Sequence, residues 1–224
     1  MFATGNTLIT GGTGLMGSRI ARVLIEKGEK PVLFDLYPAL WRVEDIKDKV
    51  VIVQGNITNL HEIIDAIKKY DVDKAIHLAY LLGAESNVNP LGATYINTVG
   101  TLNVYEAARL MDLERVCVAS SIAIYGCDDE YDSSQLPLTE DAPCLLSKGV
   151  LPYAAGKVYM EALGDHYRNT YGVFVCGLRP SIVYGWGRLT GATAFAGDLI
   201  AKPAIGEPIK ISGGNMKVSM VYID

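Results

Sequence analysis

The stretch Thr10-Gly11-Gly12-Thr13-Gly14-Leu15-Met16-Gly17 follows a short apolar run, Thr7–Ile9, near the start of the 224-residue chain. A strand that ends in a glycine turn and opens a helix directs backbone N–H groups, and the positive end of the helix dipole, at one point. Gly12, Gly14 and Gly17 have the spacing that serves a tight turn, the approach of a pyrophosphate and the packing of helix on strand. The stretch therefore predicts a dinucleotide site.

The segment after this loop supports the same interpretation. Apolar residues recur at helical spacing up to Lys27, and Gly28 is a plausible helix stop. A second apolar strand, Pro31–Asp35, then ends in a carboxylate 18 residues beyond Gly17. A carboxylate in that place accepts hydrogen bonds from the adenosine ribose hydroxyls, and its charge repels a 2′-phosphate. Asp35 therefore indicates NAD, not NADP, as the cofactor.

Apolar strands alternate with helical patterns along most of the chain. The predicted strands are Thr7–Thr10, Pro31–Asp35, Val50–Gln54, Lys74–Ala79, Arg115–Ser120 and Val173–Arg179. The predicted helices are Leu15–Lys27, Leu60–Tyr70, Leu91–Met111 and Tyr153–Tyr171. Such alternation predicts an α/β fold of the Rossmann type, a doubly wound parallel sheet with helices on both faces. Its ligands are expected beyond the carboxyl ends of the strands.

The amino-acid composition changes after Gly185, where Gly, Pro and Ala become frequent. The pattern of Phe195–Ile200 indicates one modest helix. We therefore expect residues 1–185 to form an NAD-binding Rossmann domain that includes the catalytic side chains. Residues 186–224 are expected to begin a small C-terminal substrate-binding lobe. The sequence stops in an apolar strand-like run, Val221–Asp224, which leads us to expect a truncated lobe.

The composition of the chain argues against several kinds of partner and site. The net charge is −5 and basic residues do not cluster with aromatic ones, so nucleic acid is not an expected partner. Four cysteines and three histidines are scattered without ligand or C-x-x-C spacing, so we expect neither a metal site nor a disulfide framework. No apolar run is long enough to span a bilayer, so no membrane partner is expected. A cytoplasmic enzyme with a small-molecule substrate is the expectation.

The pair Tyr153 and Lys157 stands about thirty residues after Ser121. Residues four apart on a helix share a face, so the phenol and the ammonium are expected to lie together. A nearby cation favours phenolate, which would lower the pKa of Tyr153. Ser121, at the end of a strand, would hydrogen-bond the substrate hydroxyl that Tyr153 deprotonates. The hydride would leave the same carbon for a nicotinamide ring.

Seven stretches then carry a resemblance to one family. They are Thr10 to Gly17, Asp35, His77-Leu78-Ala79, Asn97 to Thr101, Ser120 to Gly126, Tyr153 with Lys157, and Leu178 to Gly185. Together they resemble the extended short-chain dehydrogenases/reductases, also called the NAD-dependent epimerase/dehydratase family. The resemblance runs from Thr7 to Asp224.

The resemblance implies a role for each matching position. Ser121 is similar to the Ser/Thr of the catalytic triad, Tyr153 to its general acid/base, and Lys157 to the residue that tunes Tyr153 and holds the nicotinamide ribose. Asp35 matches the contact to the adenosine ribose. Positions similar to those around the pyrophosphate are Gly11, Gly14, Leu15, Met16 and Gly17. Asn56 and Ile57 stand where the family has an Asp-Ile or Asp-Leu pair beside the adenine. Other cofactor-lining positions are Leu78, Ala79, Tyr80 and Asn97, together with Tyr153 and Lys157.

Departures from the family pattern concern the substrate. Ile182 replaces an Asn that touches substrate phosphates in nucleotide-sugar members, and apolar groups cannot satisfy phosphate oxygens. Trp186 replaces a Pro, and with Trp41 it is expected to pack on the core or on the rim of the pocket, with the core as the preferred interpretation. The basic residue that the family often has in the last segment of the chain is also missing, because Val218-Ser219-Met220 stands there, although Lys217 is near.

Three functions therefore stay open. The first is an epimerase or dehydratase that transfers hydride reversibly at a hydroxyl-bearing carbon of a sugar-like substrate, nucleotide-linked or free. The second is a dehydrogenase of a small hydroxy or amino-alcohol acid, since the segment from His77 to Leu82 with Asn89-Pro90 is similar to short-chain L-threonine dehydrogenases. The third is a non-catalytic NAD(P)-binding sensor. The family resemblance also implies a homodimer built on the helices near Leu91–Met111 and Tyr153–Tyr171.

Overall fold

A computed structural model of the chain describes residues 5–188, 194–210 and 218–224. Its main sheet has six parallel strands in the order β3-β2-β1-β4-β5-β6. The strands are β1 Asn6–Thr10, β2 Val32–Asp35, β3 Val51–Gln54, β4 Val72–His77, β5 Arg115–Ala119 and β6 Val175–Leu178. The chain reverses its direction of winding between β1 and β4, which creates a crevice outside the carboxyl ends of these strands.

Six helices accompany this sheet: α1 Leu15–Glu26, α2 Leu60–Lys69, α3 Gly83–Val88, α4 Pro90–Thr94, α5 Gly100–Leu110 and α6 Leu151–Tyr171. The single helix predicted over Leu91–Met111 is α4 and α5 joined by a π-helical segment, Tyr95–Val99. The predicted strand Lys74–Ala79 ends early, at His77, which pairs with Thr10, the last residue of its neighbour β1. The doubly wound α/β fold is confirmed.

Both faces of the sheet are buried, because successive strand residues point to opposite faces. Leu8 packs in a large core with residues of α2, α5 and α6, whereas its neighbour Ile9 packs in a second core with Ala21 of α1. Both β1 side chains are fully buried. Burial of a side chain of this size contributes about 1.5–3 kcal/mol, so the two cores hold β1 rigidly beneath the glycine loop.

The chain after Leu178 forms a second, two-stranded parallel sheet from β7 Ile182–Tyr184 and β8 Met220–Tyr222. The modest helix predicted over Phe195–Ile200 begins at Phe195 and continues to Ala204 as α7. Parts of the predicted substrate lobe, 189–193 and 211–217, lie outside the described residues. Within the described ranges, no helix is long and apolar enough to cross a membrane.

Candidate active site

The glycine loop exposes its backbone because its glycines have no side chains to cover it. Gly11 has a φ of 66°, a conformation that L side chains rarely adopt, and its N–H donates to the carbonyl of Phe34 over 2.9 Å. A Cβ on Gly17 would lie 2.7 Å from the carbonyl oxygen of Gly12 and closer still to that of Gly11. α1 begins directly after Gly14, and no side chain caps its N-terminus. The loop and the helix terminus together fit a pyrophosphate.

A cavity of about 550 Å³ opens over this loop and extends to α6. We call it the site cavity. The sequence-predicted residues that line it are Gly11, Gly14, Leu15, Met16, Gly17, Leu78, Tyr80, Ser121, Tyr153 and Lys157. The structure therefore brings the glycine loop and the three catalytic candidates to one cavity, although up to 146 residues separate them in the sequence.

Five predicted cofactor residues do not line the site cavity: Asp35, Asn56, Ile57, Ala79 and Asn97. Asp35 ends β2 beside the glycine loop. Its Oδ2 accepts hydrogen bonds from the backbone N–H of Thr13 at 3.1 Å and from the Thr13 hydroxyl at 2.6 Å. Ala79 contacts Thr10, whose hydroxyl oxygen lies 3.3 Å from the Ala79 N–H. Both residues brace the loop at the edge of the cavity.

Asn56 and Ile57 follow β3. The side-chain oxygen of Asn56 accepts from the N–H and the hydroxyl of Thr58, at 3.0 and 2.9 Å, so it shapes its own turn. Ile57 is buried against Gly100 at the start of α5. Both residues therefore have a structural function in the loop where an adenine is expected.

Asn97 lies within the π-helical segment and is buried. Its side-chain amide donates to the carbonyl of Leu81 at 3.1 Å and accepts from the Leu81 N–H at 2.8 Å. These two bonds fix the chain that follows β4, and thereby the position of Tyr80 one residue earlier. Asn97 acts on the site cavity through this loop.

Tyr153, Lys157 and Ser121 approach each other as predicted. Tyr153 and Lys157 lie on adjacent turns of α6, with the Lys157 Nζ 5.3 Å from the centre of the Tyr153 ring. The hydroxyl of Ser121, just after β5, hydrogen-bonds the Tyr153 phenol. The Lys157 ammonium donates to the carbonyl of Ala119 at 2.6 Å. A phenol, a hydroxyl and an ammonium thus converge at one end of the site cavity.

The protonation state of this group differs from the sequence expectation. Burial raises the pKa of Tyr153, although the Ser121 hydrogen bond and the charge of Arg188 oppose the rise. Burial also lowers the pKa of Lys157 to about 7, against the opposing charge of Glu161. The expected lowering of the pKa of Tyr153 by Lys157 is not found, because burial dominates and the groups that oppose it are Ser121 and Arg188.

Two charged groups in the lining were not predicted. Arg188 and Arg42 both line the site cavity, and Arg188 donates to the carbonyl of Val183. Arg42 donates to the carbonyl of Gly187, so the connection after β2 meets the turn after β7. Neither position has a local sequence signal, because each reaches the cavity only when segments about 145 residues apart meet.

The two tryptophans mark the same meeting point. Trp186 is 80% exposed and Trp41 is 49% exposed, so the preferred interpretation, packing in the core, is wrong, and the alternative at the pocket rim is left. Their rings contact each other edge to face, with centroids 5.8 Å apart. The guanidinium of Arg42 lies 4.2 Å from the Trp41 ring centre. The tryptophans join two surface segments at the rim of the site cavity.

A hydrogen-bonded network lies behind Lys157. Glu161, one further turn along α6, accepts from the Ser120 hydroxyl and forms an ion pair with Arg179, whose Nη2 lies 2.6 Å from Oε2. Arg179 also donates to the hydroxyl of Tyr125. This network fixes the end of β5 against α6, and therefore the distance between Ser121 and Lys157.

Known proteins resemble the chain as follows. The sequence model of the NAD dependent epimerase/dehydratase family matches residues 7–224. The UDP-glucose 4-epimerase of Mycolicibacterium smegmatis is 32% identical over 188 residues, which cover 80% of this chain and 56% of that protein. The structure of UDP-glucose 4-epimerase from Brucella ovis in complex with NAD matches 83% of this chain and 54% of that one, with 27% identity and a TM-score of 0.72.

The L-threonine dehydrogenase of Clostridium difficile matches 98% of this chain and 67% of that one, with 26% identity and a TM-score of 0.82. The chain thus spans about half to two thirds of the length of these three relatives. The fold, NAD as the cofactor, and an oxidoreductase of this general type are confirmed. With the match to the family over 7–224, this chain belongs to the NAD-dependent epimerase/dehydratase family.

Proposed function

We propose that this protein transfers a hydride reversibly between NAD and a hydroxyl-bearing carbon of a sugar-like substrate, as an epimerase or dehydratase. The observation that carries the proposal is the convergence of Ser121, Tyr153 and Lys157 at one end of the cavity that the glycine loop opens at the other. The similarity to UDP-glucose 4-epimerases supports the substrate class.

We assign the cofactor residues by position. The backbone of the glycine loop and the start of α1 bind the pyrophosphate through Gly11, Gly14, Leu15, Met16 and Gly17. Asp35 accepts from the adenosine ribose, and Asn56 and Ile57 border the adenine. Leu78, Ala79, Tyr80 and Asn97 shape the wall toward the nicotinamide, where Lys157 holds the ribose beside Tyr153. The division into a cofactor domain, 1–185, and the start of a substrate lobe, 186–224, belongs to the same proposal.

The chemistry follows from these groups. NAD, when bound, supplies a nicotinamide ring that accepts a hydride and, in an epimerase or dehydratase, returns it. Ser121 donates a hydrogen bond to the substrate hydroxyl and orients it toward Tyr153. Tyr153 takes the hydroxyl proton as general base and gives it back as general acid. The hydrogen bond with Ser121 and the charge of Arg188 oppose the effect of burial on the pKa of Tyr153, so that the phenolate is reachable.

The first experiment measures products and NADH together. The purified protein with excess NAD is given nucleotide sugars, free polyols, L-threonine and small hydroxy acids, and products are followed by NMR. Conversion of a sugar-like substrate without net NADH supports the proposal, because the hydride then returns to the product. Net NADH from a small acid refutes it. Heat-treated protein is the control.

One observation favours a second function, the oxidation of a small hydroxy or amino-alcohol acid. Ile182 lines the site cavity and offers no donor for a phosphate, and the guanidinium of Arg188 in the same lining is sufficient for the one carboxylate of a small acid, although a guanidinium binds phosphate too. The similarity to L-threonine dehydrogenase supports this alternative. Net NADH from L-threonine in the assay above would establish it.

We also propose a cytoplasmic homodimer. The helices expected at the interface carry large exposed apolar side chains: Leu91 is 82% exposed and Tyr95 55%, and Tyr159 of α6 is 40% exposed. Exposed apolar patches of this kind mark interaction surfaces. All four cysteines are free thiols, which suits a reducing compartment. Light scattering at micromolar concentration should give the mass of two chains, and a monomer would contradict the proposal.

A further inference from the structure

The ammonium of Lys157 is enclosed, and two uncharged groups in direct contact with it compensate its charge. Only 3% of the residue is exposed. One neighbour is the carbonyl oxygen of Ala119, which accepts its hydrogen bond at 2.6 Å. The other is the face of Tyr80, whose ring centre lies 3.4 Å from Nζ. A cation over an aromatic face is attracted by the ring quadrupole, and the attraction increases where water is excluded.

Tyr80 is held in this position by its surroundings. Its ring meets the ring of Tyr153 edge to face, with centroids 5.6 Å apart. Its hydroxyl lies against Gly156 so closely that a Cβ there would overlap it. Gly156 lies in the interior of α6, where glycine destabilises a helix. Its presence there is explained by packing, because a larger residue would overlap Tyr80. The sequence thus contains a matched pair: a bulky aromatic residue after β4 and a glycine between Tyr153 and Lys157.

The Tyr80 hydroxyl makes no hydrogen bond within the described part of the chain, although it is buried. Burial also raises the pKa of Tyr80, so the phenol stays neutral. A buried hydroxyl without a partner destabilises a protein. The contribution of Tyr80 at this position therefore comes from the ring and not from the hydroxyl.

We propose that Tyr80 is a positioning residue whose ring face stabilises the charged form of Lys157 and keeps its ammonium between the ring and the Ala119 carbonyl. The function of Lys157 rests on the proposed function above, whereas the contact with Tyr80 stands on the geometry. Without the ring, the buried ammonium would lose one of these two direct contacts and would release its proton more readily.

Four titratable groups of the described ranges surround Lys157. Glu161 on α6 raises the pKa of the lysine by its charge. His77, at the end of β4, stays neutral because burial lowers its pKa to about 3. Tyr153 and Tyr80 are neutral because burial raises the pKa of each. β5 contributes the Ala119 carbonyl. Glu161 is thus the one charged group among the four. Tyr80 stabilises the Lys157 ammonium from the chain that follows β4.

The test measures the pKa of Lys157 directly by NMR of lysine side chains labelled with ¹³C at Cε, with Lys157→Met to assign the resonance. Tyr80→Phe keeps the ring face, whereas Tyr80→Leu removes it. We expect the pKa of Lys157 to be unchanged in Tyr80→Phe and to fall by about one pH unit in Tyr80→Leu. Equal pKa values in the two variants would overturn the proposal.

Because Leu at position 80 also alters packing, a second series keeps the shape. Phenylalanine analogues with one, two or three ring fluorines are incorporated at position 80, which weakens the ring quadrupole stepwise. The pKa of Lys157 should fall with each fluorine, and no trend would refute the role of the ring. The series uses protein without substrate, so failure of the proposed reaction would show separately in the product assay.

Discussion

The glycine loop and the Tyr153–Lys157 face of α6 form the two ends of one cavity, yet they are built in different ways. The loop is made by eight consecutive residues, and its function depends on backbone groups and on the absence of Cβ atoms. The α6 face depends on side chains that approach from far along the chain, since Lys157 contacts Tyr80 and Ala119. The glycine loop is therefore sensitive to added side-chain volume. The α6 face is sensitive to the loss of groups that compensate the charge of Lys157.

The largest effect is expected at the α6 end, from Tyr153→Phe. The substitution keeps the ring, including its contact with Tyr80, and removes only the hydroxyl that exchanges the proton. General acid/base catalysis contributes about 10²–10⁴-fold, so turnover should fall by that factor while NAD affinity stays near wild type. Turnover is measured by product NMR and NAD affinity by calorimetry.

Tyr159→Phe is the matched control, because Tyr159 lies on the same helix and is partly exposed. It should retain wild-type turnover. A protein without measurable turnover whose biological effect survives Tyr153→Phe would instead support the non-catalytic sensor.

The second largest effect is expected at the glycine loop, from Gly17→Ala. The added methyl would overlap the backbone carbonyls of Gly11 and Gly12, which cannot move without opening the loop. We expect NAD affinity to fall by about 10–100-fold, equivalent to about 1.4–2.8 kcal/mol. Gly149→Ala is the control, since a Cβ there meets nothing within 4 Å. Equal NAD affinity in both variants would show that the loop does not bind the pyrophosphate.

His77 is near both ends, since it hydrogen-bonds Thr10 of the glycine loop and the charge of Lys157 on α6 adds to the lowering of its pKa. Its Nδ1 lies 2.7 Å from the Thr10 hydroxyl and its Nε2 lies 3.1 Å from that of Thr101. Thr101 donates its own proton to the carbonyl of Asn97, so it accepts from Nε2–H and leaves Nδ1 as an acceptor for Thr10. The ring is therefore neutral, and burial lowers its pKa from 6.5 to about 3.

The stability of the folded protein should therefore fall as the pH is lowered. Below pH 6.5 the unfolded chain binds a proton at His77 that the folded protein does not bind, so this contribution to stability is complete above 6.5 and is lost as the pH falls toward 3. The loss should approach about 1.4 kcal/mol per pH unit. Urea unfolding between pH 7 and 5 should show this slope in the wild type and a smaller one in His77→Gln. The exposed His166→Gln variant should keep the wild-type slope.

The difference between the glycine loop and the α6 face also explains how much of the fold and of the site could be predicted from the sequence. Six strands, their parallel winding and the glycine loop follow from local patterns, since each depends on residues close together in the chain. The pairing of Tyr153 with Lys157 is also local, because both lie on one helix. These predictions needed only periodicity and spacing.

Contacts between distant segments were not predictable in this way. Nothing near Arg188 or Arg42 indicates that the turn after β7 meets the connection after β2. The effect of burial on the pKa of Tyr153 depends on how many elements cover α6, which no local pattern contains. Tyr80 was matched to a cofactor-lining position, yet its contact with the Lys157 ammonium required the fold.

The smallest effect is expected from Asp35→Asn, which tests the charge at the edge of the glycine loop. Asn keeps an acceptor for the hydroxyl and the N–H of Thr13, so the loop geometry should survive. Removal of the negative charge should weaken the discrimination against a 2′-phosphate, and the ratio of NADP to NAD affinity should rise by about tenfold. Calorimetric titration with both dinucleotides measures the ratio. Asp65→Asn, an exposed carboxylate on α2, controls for the change in net charge. If both variants changed the ratio equally, the effect would come from the overall field of the protein, and Asp35 would serve only to brace Thr13.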